Sequence, residues 1–146
     1  MSTVQHLRIL RTVRFSAGHR YHNPQWSDEQ NLRVFGACNR PHGHGHNYRL
    51  DVGVEGPIDP VTGMVINLAD LDTLLRERVI ADLDHSFLNY DIPHFAEKIP
   101  TCENIASYLW ELLEGPVGEL GDCRLALIRL WESEELYAEL SGRPSS

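Results

Sequence analysis

The 146-residue chain is 42 % hydrophobic and 23 % charged, the make-up of a single globular domain over residues 1–146 with enough apolar mass for a core. Thirteen Lys and Arg against twenty-one Asp and Glu leave a formal net charge of −8, which argues against nucleic acid or an anionic membrane as the partner. No stretch approaches a membrane span, Met1–Gln5 lacks the basic, apolar and small-residue succession of a secretory leader, and three cysteines suit a reducing cytosol better than a disulfide framework; the expected location is the cytoplasm.

Leu7, Ile9, Val13 and Phe15 alternate with mostly polar neighbours, with Arg11 interrupting the apolar face, and predict a first strand ending near Ser16-Ala17-Gly18-His19. From Arg20 to Pro41 no period holds, and Asn23-Pro24, Ser27-Asp28 and Gly36 read as one long loop. A loop of that length in a small domain is more often functional than decorative. A second strand is expected from about His44 to Glu55, with Tyr48, Leu50, Val52 and Val54 inward and Asn47, Arg49, Asp51 and Glu55 outward. Gly56-Pro57, Asp59-Pro60 and Thr62-Gly63 then turn the chain before a short extended Met64-Val65-Ile66.

Asn67 is a predicted N-cap with Asp70 three residues on, and Leu68, Leu71, Leu75 and Val79 fall at helical spacing. A second helix begins at Thr101 after Pro100, carries Ile105, Leu109, Leu112 and Leu113 on one side, and should stop at Gly115-Pro116. Arg124 to Trp131 reads as a strand apolar at both parities, which suggests an outer face that meets another subunit. A short strand at Glu135-Leu136-Tyr137-Ala138 completes an α+β order of two strands, two helices and two strands.

The chemistry concentrates in His42-Gly43-His44-Gly45-His46. Alternate histidines on an extended backbone share a face, and His42, His44 and His46 share the parity of the buried one, so their imidazoles aim inward or into a cleft. Two histidines supply at most half of a zinc shell. The best further ligand is His19, at the end of the adjacent strand; three histidines would leave a position open, as in catalytic zinc sites. Cys38 is either a fourth ligand that closes the site or a thiolate base beside the metal. Asp84-His85 reads as a general acid/base couple or as a surface cap.

These residues lie in segments that resemble the 6-pyruvoyl tetrahydropterin synthase family. Phe35-Gly36-Ala37-Cys38-Asn39-Arg40-Pro41-His42-Gly43-His44-Gly45-His46-Asn47-Tyr48 is similar to the metal-binding segment, and Phe15-Ser16-Ala17-Gly18-His19-Arg20 to the first-ligand segment. Asp59–Leu71, Leu83-Asp84-His85, Pro100-Thr101-Cys102-Glu103-Asn104 and Trp131-Glu132-Ser133 follow in order. The resemblance implies a T-fold: an antiparallel sheet with two helices on one face, its strands joining across three subunits into an oligomeric β-barrel, with two trimers stacked as a homohexamer and sites at subunit interfaces.

The resemblance also implies a zinc-dependent carbon–oxygen lyase acting on a small-molecule pterin triphosphate, 7,8-dihydroneopterin triphosphate, to give 6-pyruvoyl tetrahydropterin and triphosphate. By matching motif, His19, His44 and His46 would bind zinc; Cys38, Asp84 and His85 would be catalytic; and Glu132, with Thr101 and Glu103, would hold the pterin. His42 stands where the synthases often have Asn. It opens a second frame, Cys38 followed by His42-Gly43-His44, that resembles the 6-carboxytetrahydropterin synthases of queuosine biosynthesis, which use the same substrate and release acetaldehyde. Cys102 stands where relatives often carry Ser or Thr, and Arg20 and Arg40 are either triphosphate contacts or solvated charges. Other readings are a non-catalytic pterin- or metal-binding protein, and a metal-assisted hydrolase, for which no water-activating carboxylate stands out beside the histidines.

Overall fold

A computed structural model describes residues 7–142; Met1–Gln5, on which the leader reading rests, lies outside them. Among the described residues, five strands form one sheet in the order β3-β1-β2-β4-β5. They are β1 (Leu7–His19), β2 (His44–Gly56), β3 (Ser86–Phe87), β4 (Arg124–Ser133) and β5 (Leu136–Ser141). All pairings are antiparallel except the two-residue β1–β3 pairing. None of the described helices is long and apolar enough to cross a membrane.

The β1–β2 register puts Phe15 opposite Tyr48, Ala17 opposite His46 and His19 opposite His44. Because side chains alternate along a strand, these residues share one face, and Phe15, Ala17, His19, Tyr48, Leu50, Val52 and Val54 are all buried there. Leu71 and Leu75 of α2 (Leu68–Leu75), and Ile105, Leu109 and Leu113 of a long C-terminal helix, complete the core.

Helix α2 is capped by Asn67, whose side chain accepts from the Ala69 amide. It continues through a π turn at Arg76–Ile80 into α3 (Ala81–Leu83), so that Leu71, Leu75, Val79 and Leu83 are all buried. A short α4 (Leu88–Asp91) follows β3. The long helix, α5 (Cys102–Gly118), does not stop at Gly115-Pro116. The Glu119 amide still reaches the Gly115 carbonyl, 3.2 Å away, and Val117 is fully buried. Burying that side chain contributes about 1.5–3 kcal/mol, comparable to the ~3 kcal/mol cost of an interior proline.

Three other expectations change. The segment from Arg20 to Pro41 holds α1 (Asp28–Phe35) and a 3-10 turn at Gly36–Asn39 rather than one long loop. Met64-Val65-Ile66, expected to be extended, bends at Val65 and Ile66, and the last strand runs from Leu136 to Ser141 instead of Glu135 to Ala138. The doubly apolar pattern of β4 has an internal cause: Gly53 pairs with Leu127 but Val54 with Leu125, so a bulge at Ala126 moves Leu125 to the helix-covered face. Leu127, on the opposite face, is also buried within the single chain. The pattern therefore needs no covering subunit to explain it.

Candidate metal centre and active site

The paired ends of β1 and β2 bring His19, His44 and His46 together, with one ring nitrogen from each lying within 4.8 Å of the others. Their ring centroids are 4.6–5.0 Å apart. His19 Nε2 lies 3.1 Å from His44 Nε2. On the far side of the His19 ring, Nδ1 is 2.8 Å from the Pro100 carbonyl. A proton on Nδ1 donated to that carbonyl leaves the Nε2 lone pair facing the other two rings, the usual way an outer partner fixes a ligand's tautomer.

Burial lowers the His19 imidazole to about 4, against the opposing Pro100 carbonyl and with a further push from His44 and His46. Burial also lowers His46, although the Glu132 carboxylate pulls it up. His46 Nε2 lies 3.1 Å from Glu132 Oε1, in an alignment that makes no hydrogen bond. Three clustered imidazoles, two of them biased to the neutral form and one with an orphaned ring nitrogen, fit a divalent ion of the kind that takes nitrogen donors.

His42 is not part of this group. Gly43 adopts φ +70, which breaks the strand phase, and β2 begins only at His44, leaving His42 exposed in the preceding turn. A Cβ at Gly43 would lie 2.7 Å from the His19 carbonyl oxygen, so the turn requires glycine on both steric and conformational grounds.

Cys38 sits half-buried in the 3-10 turn, and its carbonyl accepts from the Tyr21 amide at 2.9 Å. The Tyr21 ring meets His19 edge-on, with centroids 5.1 Å apart, so the thiol segment is anchored beside the histidines. Burial raises the Tyr21 phenol well above its ordinary value, and Glu132, Cys38 and Glu103 push the same way. Cys102 is buried, and burial with the nearby Glu132 carboxylate pushes its thiol up to about 11, so it stays protonated at neutral pH. Thr101 caps α5 by accepting from the Asn104 amide at 3.1 Å, and Glu103 is exposed in the first turn. Glu132 Oε2 is buried without a partner.

Asp84 and His85 lie at the β1 edge. Asp84 Oδ1 accepts from the Ser16 amide at 2.8 Å, and Oδ2 is 3.0 Å from His85 Nδ1. The Ser16 amide, with a smaller contribution from His85, holds the Asp84 carboxyl below its ordinary value. The His85 side chain is 84 % exposed, on a backbone with φ 62. No hydrogen bond, ion pair or ring contact joins the pair to the three histidines. The pair borders a cleft of about 400 Å³ lined by Ser16, Gly18, Gly45, His46, Asn47 and His85 among others.

Tyr21, Tyr48 and Pro100 are absent from the residues expected at the site. The Tyr48 hydroxyl is 3.2 Å from His19 Nδ1, yet its sequence position marks it only as a member of the apolar face. The acceptor role of Pro100 comes from its backbone and leaves no residue-type signal.

Fold and site together define a class: an α+β domain whose paired strand ends carry a three-histidine cluster able to hold a metal ion. The chain belongs to the 6-pyruvoyl tetrahydropterin synthase family, whose sequence model matches residues 8–143. It is 50 % identical over 115 residues to the Homo sapiens 6-pyruvoyl tetrahydrobiopterin synthase, covering 77 % of this chain and 79 % of that protein. It is 30 % identical over 133 residues to a dihydroneopterin monophosphate aldolase of Pyrococcus furiosus, covering 91 % and 96 %. The solved 6-pyruvoyl tetrahydropterin synthase of Caenorhabditis elegans superposes with a TM-score of 0.87 at 33 % identity, covering 98 % of this chain and 100 % of that one.

Proposed function

We propose that this protein is a 6-pyruvoyl tetrahydropterin synthase: a zinc-dependent carbon–oxygen lyase that converts 7,8-dihydroneopterin triphosphate to 6-pyruvoyl tetrahydropterin with loss of triphosphate. The observation that carries the reading is the joining of His19, His44 and His46 beside a buried, half-unpartnered Glu132. His19, His44 and His46 would hold the ion, which when bound would supply Lewis acidity to the substrate's side-chain hydroxyls and ease loss of the neighbouring carbon-bound protons. Glu132 accepts two parallel N–H bonds from the pterin ring, with Thr101 and Glu103 nearby on α5. Cys38 removes and redelivers a proton on one side of the substrate side chain. His85, oriented by Asp84, serves the opposite side.

The exposed His85 and the outer edge of β1 from Leu7 to Phe15, which pairs with no other strand among the described residues, support a site completed between subunits of a homohexamer. The three free thiols suit a cytoplasmic setting. The 6-carboxy alternative drew on His42 as a second base, and an exposed His42 outside the strand gives that role no support. Anaerobic chromatography with mass detection tests the reading: the main product should keep all three side-chain carbons. Acetaldehyde matching the substrate consumed would overturn the assignment.

A further inference from the structure

Tyr21 stands two positions beyond His19, yet the chemistry set out above gives it no part. Its main chain is clamped on both sides. The amide donates to the Cys38 carbonyl at 2.9 Å, and the carbonyl accepts from Nδ2 of the buried Asn39 at 2.8 Å. Its half-buried ring meets His19 edge-on at 5.1 Å and Phe35 edge-on at 5.8 Å between centroids. Phe35, the last residue of α1, stacks in turn on Trp26 at 5.7 Å. The ring is therefore held between α1 and the histidines before any ligand arrives, which reduces the ordering cost of a contact made through its hydroxyl.

That hydroxyl faces the ring-binding side of the site. Glu132 acts on it through space more strongly than Cys38 or Glu103 does, and the Cys102 backbone lies against it. Glu132 is 3.1 Å from His46 Nε2, and the His46 ring is 5.0 Å from that of His19, so carboxylate and phenol flank one cluster. Most polar groups around this cluster accept or are already engaged. Carboxylates only accept, the Pro100 carbonyl is taken by His19, the Cys102 thiol donates to the Leu130 carbonyl at 3.4 Å, and the Tyr48 hydroxyl is 3.2 Å from His19 Nδ1. A phenol is protonated at neutral pH in any case. Among the described residues no hydrogen bond takes up the Tyr21 hydroxyl proton, so it is a donor left free in a site rich in acceptors.

A 2-amino-4-oxo ring held by a carboxylate has one need that the carboxylate cannot meet. Its N3–H and 2-amino group donate to Glu132, but the adjacent C4 carbonyl is an acceptor, and leaving it dry without a donor costs affinity. We propose that the Tyr21 hydroxyl donates to the C4 carbonyl oxygen of the pterin and so completes recognition of the ring edge that Glu132 begins. This rests on the pterin reading given above. Two contacts of opposite polarity on neighbouring ring positions select the 2-amino-4-oxo pattern, because a ring with an amino group at C4 sets donor against donor. Phe35 and Trp26 are then positioning residues, which gives α1 a part in the site although it touches none of the three histidines through a recorded bond.

The test is a fluorescence titration of the metal-loaded protein with oxidised neopterin, which lacks the dihydro ring that the reaction consumes. Tyr21→Phe keeps the aromatic packing and removes only the hydroxyl. It should weaken neopterin binding roughly 3- to 10-fold, the range for one neutral hydrogen bond, while metal content by elemental analysis stays as in the wild type. Infrared difference spectra of bound neopterin carrying carbon-13 at C4 supply a reading that packing alone would not move: the C4 carbonyl stretch should lie lower in the wild type than in Tyr21→Phe. Tyr21→Leu, which lacks both hydroxyl and ring, gives the same comparison if Tyr21→Phe does not fold. An unshifted carbonyl band, or neopterin affinity equal to that of the wild type, would overturn the proposal while leaving the pterin reading intact. Weaker binding that comes with metal loss and an unshifted band would reduce Tyr21 to a support for His19 and overturn it equally. Failure of the wild type to bind neopterin would overturn both.

Discussion

At the scale of single residues, strand phase decides which histidines matter. His44 and His46 lie on β2 and face His19, whereas His42 precedes the left-handed Gly43. His44→Ala or His46→Ala should therefore abolish stoichiometric metal, and His42→Ala should leave it nearly full, as read by elemental analysis. Cys38→Ala should keep the metal while turnover falls by ~10²-fold or more, the scale for losing a positioned base. Metal loss in that variant would instead make the thiol a ligand. Away from the site, Asp51 is buried, which alone raises its carboxyl; bonds from Thr12, Trp131 and Arg49 more than offset this and hold it below the ordinary value. A depressed carboxylate contributes stability that is complete above its unfolded value and is lost as pH falls through the folded one. Asp51→Asn should therefore flatten the acid limb of stability, costing on the order of 1–3 kcal/mol at neutral pH and much less once the wild-type carboxylate is protonated. Denaturant melts from pH 7 down to pH 3 would check it.

At the scale of elements, the segment between β1 and β2 departs most from its sequence reading. Its fully buried Asn31 donates through Nδ2 to the Asn23 and Ser27 carbonyls at 2.9 and 3.1 Å, and accepts from the Asn23 amide at 2.7 Å. Asn31→Ala would leave those backbone groups unpaired, so it should lower stability by about 2–3 kcal/mol in urea melts without removing a metal ligand. The helix it belongs to had a legible start: Ser27 with Gln30 three residues on fits a capping box, and Ser27 does accept from the Gln30 amide. Periodicity hid it, because a buried Asn and exposed Leu32 and Val34 invert the usual apolar face. The long strands and the α2 and α5 helices were legible because their burial follows period 2 or 3.6. The bulge at Ala126 and the two-residue β3 were not, since each depends on contacts distant in sequence, and the π turn at Arg76–Ile80 carries no residue-type signal of its own. Parity put His44 and His46 on the inner face but put His42 there too, and the set His19, His44 and His46 came from the family resemblance, whereas the backbone carbonyl that orients His19 left no sequence signal.

At the scale of the whole molecule, the Pro100 carbonyl has a consequence for the durability of the fold. It lies 81 positions along the chain from His19, just before the helix that packs on β4, while His44 lies 25 positions from His19 across the β1–β2 pair. An ion on the histidines would thus act as a fastener between distant stretches of chain, binding the folded form and finding no assembled site in the unfolded one. Free metal at about 1,000 times its dissociation constant adds ~4 kcal/mol by mass action. At ~2–4 °C per kcal/mol for a domain near this size, a strong chelator should lower Tm by on the order of 10 °C. His44→Ala should melt at one temperature with or without chelator. An unmoved wild-type Tm would mean that the sheet and helices close just as firmly without the ion.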